Sequence, residues 1–107
     1  MSIISEITSL YDSVPRRHTT DNVKDIYSII EQYEDILIQI ESLNAFYEKN
    51  IGSYFDAAST AKAAIKKSTD NKASKKNKDV YFDEGSGILK ENMQELIEWF
   101  EDGKRDQ

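Results

Sequence analysis

Val23, Ile26, Ile30, Tyr33, Leu37, Ile40, Asn44 and Tyr47 follow one another at alternating spacings of three and four residues. That is a heptad seam, with Val23, Ile30, Leu37 and Asn44 at a and Ile26, Tyr33, Ile40 and Tyr47 at d. Ile29, Ile36 and Leu43 add an apolar g row. A seam widened in this way suits a helix packed by two neighbours. The same register continues through Ile51, Tyr54, Ala58, Ala61 and Ile65. Taken alone, it describes one helix of about 45 residues, roughly 68 Å long.

The chemistry of residues 49–56 points to a turn instead. Lys49 suits a last helical turn, Gly52 a left-handed C′ position, and Ser53 with Asp56 resembles a capping box. Burial decides between the two. A lone helix of that length leaves its seam uncovered unless another chain supplies the cover. A hairpin of 21–50 and 53–68 covers itself, and Ala57, Ala58, Ala61 and Ala64 allow close approach. Asn44 on the seam then either fixes a coiled-coil register or faces helix 1 or solvent near the turn.

Around this hairpin the pattern predicts a short amphipathic helix over 2–13, carrying Ile3, Ile4, Ile7, Leu10 and Tyr11 on one face and stopped by Val14-Pro15. Thr20 or Asp21 is the expected cap of the next helix. Residues 69–79 read as a mobile, lysine-rich connector, followed by an apolar anchor at Val80-Tyr81-Phe82. Ser86 is the expected N-cap of a last amphipathic helix over 86–102, with Leu89, Met93, Leu96, Ile97 and Phe100 on its apolar face and Gly103 at its end. The fold class is all-α: a small helical bundle on a heptad-patterned hairpin, in one domain spanning 1–107.

Composition agrees. Hydrophobic residues are 38% and charged residues 32% of the chain, and one proline and four glycines are too few turn residues for a regular β-protein. No cysteine is present, which removes disulfides and thiolate metal sites. The first residues, MSIISEITSLY, lack a basic n-region and hold Glu6 within their apolar stretch, unlike a signal peptide. No apolar run approaches the ~20 residues of a membrane span. The expected location is the cytoplasm, without a membrane partner.

Charge is unevenly spread. The formal net charge is −6, yet residues 62–78 hold seven of the fourteen basic side chains against Asp70 alone. The remainder carries seven basic and nineteen acidic groups, a net of −12. Such a body repels nucleic acid and favours basic partners. Lys72, Lys75, Lys76 and Lys78 lack interleaved aromatics for base stacking, so nucleic acid is the weaker expectation.

Catalytic equipment is not visible. His18 is the sole histidine, and no nucleophile–base pair accompanies it. Arg16, Arg17 and His18 before a helix start form a candidate anion site, weighed against a plain solvated loop. Asp83-Glu84-Gly85-Ser86-Gly87 lacks the lysine of a phosphate loop and places carboxylates where a phosphate would sit. No cofactor and no metal are expected.

The last helix offers more. Glu91, Glu95, Glu98 and Asp102 form an acidic stripe without an intervening lysine, where like charges four apart cost a few tenths of a kcal/mol each. With Trp99, Tyr81 and Phe82 nearby, the stripe is the candidate surface for a partner with a basic face. The competing readings are an ordinary solvated face and attraction to the chain's own lysines. Tyr27, Ile38, Phe46 and Phe55 fall off the seam, as core for other helices or as an interface patch.

Residues 21–68, a helical hairpin with a glycine turn and an alanine-rich second helix, resemble the WXG100-type proteins of bacterial type VII secretion. Asn50-Ile51-Gly52 stands where that family has Trp-x-Gly, and the sole tryptophan, Trp99, lies elsewhere. The resemblance implies a helical hairpin that pairs with a sister protein. The residues themselves lead to a non-catalytic protein-binding role, by occlusion or bridging, of inhibitor, immunity or adaptor type. The alternative is a coiled-coil subunit whose seam is completed by another copy or a sister protein. Nucleic-acid binding through the lysine run is a third reading.

Overall fold

The computed structural model describes residues 2–15 and 17–105, with side chains described as far as Glu101. It is all-helical: α1 Ile3–Ser13, α2 Thr20–Glu41, α3 Ala45–Asn50, α4 Gly52–Ser68 and α5 Lys75–Arg105, with no strand among the described residues. No helix is long and apolar enough to cross a membrane, among the same residues.

The helix starts follow from side-chain capping. Ser2 Oγ accepts from the Ser5 N–H at 3.1 Å, and Thr19 Oγ1 accepts from the Asn22 N–H at 3.0 Å. The cap of α2 is therefore Thr19, one residue before Thr20 and two before Asp21, the expected caps. Along α2 the predicted seam is the core. Ile26, Ile29, Ile30, Tyr33, Ile36, Leu37 and Ile40 are buried within the chain.

The chain does double back between α2 and α4, but in two steps and not at Gly52. The expected helix over 21–50 breaks after Glu41. Ser42 caps the end of α2, and Asn44 Oδ1 accepts from the Tyr47 N–H at 3.0 Å to start α3. Asn44 is thus an exposed N-cap and sets no coiled-coil register. A short amide side chain that satisfies a backbone donor offers the chain an alternative to continuing the helix. At the second step Ile51 is right-handed (φ −76°, ψ −16°), and no described residue, glycine included, has a left-handed backbone. Gly52 is simply the first residue of α4, and Ser53 makes no capping bond.

The last helix is longer than its apolar face predicted. The lysine-rich connector shrinks to residues 69–74, because Ser74 Oγ accepts from the Asn77 N–H at 3.1 Å and starts α5 at Lys75. Ser86, the expected cap, is buried mid-helix and donates to the Asp83 carbonyl at 3.1 Å. The helix also runs past Gly103. Gly85 is explained by packing: a Cβ there would lie 2.6 Å from Ile65 Cδ1 and 3.0 Å from the Ala61 carbonyl. It lets α4 and α5 close on each other, and theirs is the most extensive helix pairing in the molecule.

These contacts fix the arrangement. α4 runs antiparallel to α5, from Lys67 beside Tyr81, through Ile65 against Gly85, to Tyr54 beside Trp99. α2 runs parallel to α5, since His18 meets Asp79 near one end and Tyr33 meets Asn92 further along. α1 covers α2 and α5, with Lys90 Nζ 4.4 Å above the Tyr11 ring. The bundle measures 49 × 24 × 17 Å. Its radius of gyration, 14.6 Å, exceeds the about 13 Å of a rounded chain of this length. The molecule consequently has two distinct ends.

Candidate functional site

At the end formed by α3, the start of α4 and the last turns of α5, five aromatic rings meet. Trp99 is stacked between Phe46 (centroids 5.9 Å apart, interplanar 28°) and Tyr54 (5.2 Å, 28°). Tyr47 meets Trp99 edge-on at 5.1 Å and stacks on Phe100 at 5.4 Å. The α3 start at Asn44 is what aims Phe46 and Tyr47 here. Tyr47 points inward and is buried, while Phe46, its neighbour, is 52% exposed. Aromatic pairs in these geometries add about 0.5–1.5 kcal/mol beyond their area burial. Leu43, also 53% exposed, sits in the turn just before α3.

Beneath the rings lies a buried polar contact. Asn92, on the apolar face of α5, donates from Nδ2 to the Tyr33 hydroxyl at 2.7 Å and to the Tyr54 carbonyl at 3.2 Å. This ties α2, α4 and α5 together at one point. Burial, then the neighbouring Tyr54 and Glu95, push the Tyr33 phenol far above its ordinary range. Burial and then Glu95 push Tyr54 up as well. The Glu95 carboxylate therefore acts on the same end as the rings.

The expected partner-binding residues divide into three groups. Glu91, Glu95 and Glu98 are exposed on α5, and Trp99 is half-buried within the ring cluster. Asp102 lies in the helix, but its side chain falls outside the described residues. Tyr81 and Phe82 are elsewhere. Tyr81 is half-buried near the opposite end, with Lys67 Nζ 5.9 Å from its ring, about 27 Å of helix away from Trp99 at 1.5 Å per residue. Phe82 is fully buried with its ring edge-on to His18 at 5.6 Å, so it is core and cannot be a contact residue. Helical continuation through the apolar run at 80–82 sends Phe82 inward and leaves Val80 exposed.

Of the three candidate anion-site residues, the structure describes Arg17 and His18. Arg16 lies outside the described residues, Arg17 is exposed, and the Arg17 carbonyl accepts from Asn22 Nδ2 at 2.8 Å. His18 Nδ1 faces a carboxylate, Asp79, at 3.6 Å, and Asp83 lines the same cleft. Carboxylates of α5 thus share this cleft with Arg17, His18 and Lys75. The lysines nearest the α5 start lie far from the acidic stripe, and Lys62 pairs with Glu34 at 3.9 Å. Lys75 and Lys76 open α5, and Glu91 lies about 22 Å further along the helix.

Asn92 and Phe46 carry the site's organisation, and the sequence held a signal for each. Asn92 interrupts the apolar face between Leu89 and Met93, opposite a tyrosine-bearing seam. Phe46 is the off-seam aromatic beside Tyr47. With the geometry in place, comparison with known proteins adds no relative: no family model, curated protein or solved structure matches the chain.

Proposed function

We propose that this chain is a non-catalytic protein-binding protein, acting by occlusion or bridging, and that its aromatic–acidic end is the contact surface. The observation that supports this reading is an exposed ring, Phe46, stacked on Trp99, on the same stretch of α5 that carries the exposed carboxylates of Glu95 and Glu98. An open aromatic face suits apolar side chains and stacks arginine guanidinium groups, and adjacent carboxylates favour the same cations. The partner is accordingly a protein segment that mixes basic and apolar residues. The negative end of the α5 dipole lies here too and adds to the attraction for cations.

Trp99 is the sole tryptophan, so its fluorescence reports on this end alone. A synthetic amphipathic peptide of arginine and leucine is expected to change that emission saturably. Phe46→Ala, or Glu95→Lys with Glu98→Lys, weakens binding at least about tenfold, equivalent to 1.4 kcal/mol. Binding that ignores both variants would remove the reading.

A further inference from the structure

The opposite end of the bundle is a second, chemically different surface. The last turn of α4, the following turn and the first turn of α5 carry Lys66, Lys67, Lys72, Lys75 and Lys76, all exposed. The fold also brings Arg17 to this end, where it lines a cleft with Lys75. Lys24 and Lys78 line the neighbouring cleft. Basic groups far apart in sequence are therefore gathered on one tip. Among the described residues, none of these cations lies within ion-pair distance of a carboxylate; the close contacts of this kind are His18 Nδ1 to Asp79 at 3.6 Å and, further along α4, Lys62 to Glu34 at 3.9 Å.

The arrangement works against the helix that bears it. The first turn of α5 contains lysines and no acidic residue. Cations at a helix N-terminus oppose the macrodipole, and the fold recovers nothing through pairing. Between the lysines the tip presents Thr69, Asn71, Ser74 and Asn77, neutral hydrogen-bonding side chains of the kind that bind phosphate oxygens. Among the described residues 69–79 there is no aromatic ring for base stacking, and on residues 69–74 there is no large apolar side chain for insertion into a bilayer; Tyr81, beside Lys67, is half-buried.

The net −12 of the rest of the chain does not veto a polyanion. The bundle is 49 Å long, and charges more than about 8 Å apart are largely screened at physiological salt. Glu98 lies about 34 Å along α5 from Lys75. The tip acts electrostatically by itself, apart from Asp21, Asp70, Asp79 and Asp83, its own carboxylates.

We propose that the α4–α5 tip binds the phosphate backbone of nucleic acid without reading its sequence, independently of the aromatic–acidic end. The test uses the full chain and a fluorescein-labelled duplex DNA of arbitrary sequence, followed by anisotropy from 50 to 200 mM salt. With about four phosphates contacted, affinity falls roughly 100-fold across that range. Lys72→Glu, Lys75→Glu and Lys76→Glu together abolish binding, and Glu48→Lys on α3, at the far end of the bundle, changes it less than about threefold. Folding of the lysine variant is verified in the same preparation, because relieving the adverse dipole raises its Tm by about 3 °C or more. Absence of binding at 50 mM salt overturns the proposal, as does binding that survives the triple reversal. Equal affinity for phosphatidylserine vesicles or for poly-glutamate also overturns it, since phosphate-backbone recognition is then not what the tip provides.

Discussion

The two halves of this bundle are closed by opposite means. Towards the lysine-bearing tip, α4 and α5 meet over Gly85, Ala61 and the Ile65 side chain, so closely that no Cβ fits at Gly85 without displacement. Towards the other end, rings fill the contact, with Trp99 against Tyr54 of α4 and Tyr47 of α3, and Asn92 bonded between Tyr33 and Tyr54. Small residues seal a seam completely. Large rings at this end leave an edge uncovered, and Phe46, 52% exposed, is that edge. The difference explains why exposed aromatic surface gathers at one end and polar, charged surface at the other.

The sealed half is the more sensitive to added volume. Gly85→Ala places a methyl group against buried Ile65 and the Ala61 carbonyl and is expected to cost about 1–3 kcal/mol in denaturant unfolding. Pairing it with Ile65→Val, which removes the clashing Cδ1, recovers part of that loss in a double-mutant cycle.

The ringed half responds to loss of a polar partner. Tyr33→Phe leaves Asn92 with the Tyr54 carbonyl only and costs about 1–2 kcal/mol. Its pH signature is separate. The Tyr33 phenol is held protonated in the fold well above its ordinary value. The unfolded chain therefore loses that proton first, near its usual pKa of about 10, and binds fewer protons than the native state above it. The contribution is complete below about pH 9 and declines above about pH 10, by at most about 1.4 kcal/mol per pH unit. Chemical unfolding at pH 9 and pH 11 measures the decline, and Tyr33→Phe makes it shallower.

Gly87 sharpens the contrast from two residues away. A Cβ there meets nothing within 4 Å, so Gly87→Ala is expected to stabilise by about 1 kcal/mol through helix propensity, opposite in sign to Gly85→Ala. The smallest stability effect falls on the uncovered edge. Phe46→Ala removes a half-exposed ring and costs under about 1 kcal/mol, while carrying the largest expected loss in peptide binding.

Much of the framework was legible in the sequence, and the misreadings share one cause. The seam of α2 was readable because alternating spacings of three and four are what a buried helical face requires. Asn44, Ser86, Gly52 and Gly85 were not, because each residue type has a local role and a packing role that sequence cannot separate. Asn44 took the local role and capped α3, although it sits in register on the seam. Ser86 and Gly85 took the packing role, because Ile65 of α4 presses on the helix there. Phe82 was offered as surface and proved to be core once α5 extended back to Lys75. The acidic stripe was readable as a stripe, but its proximity to Phe46 depends on the break at Asn44.

Central to the account is that the heptad seam is covered within one chain, which leaves the two ends as the surfaces available for binding. Light scattering on size-exclusion fractions, at two widely separated concentrations, tests this most directly. The account predicts a monomer of 12.3 kDa at both. A concentration-independent mass of twice that value would contradict it, since a second copy would then share the seam or cover an end.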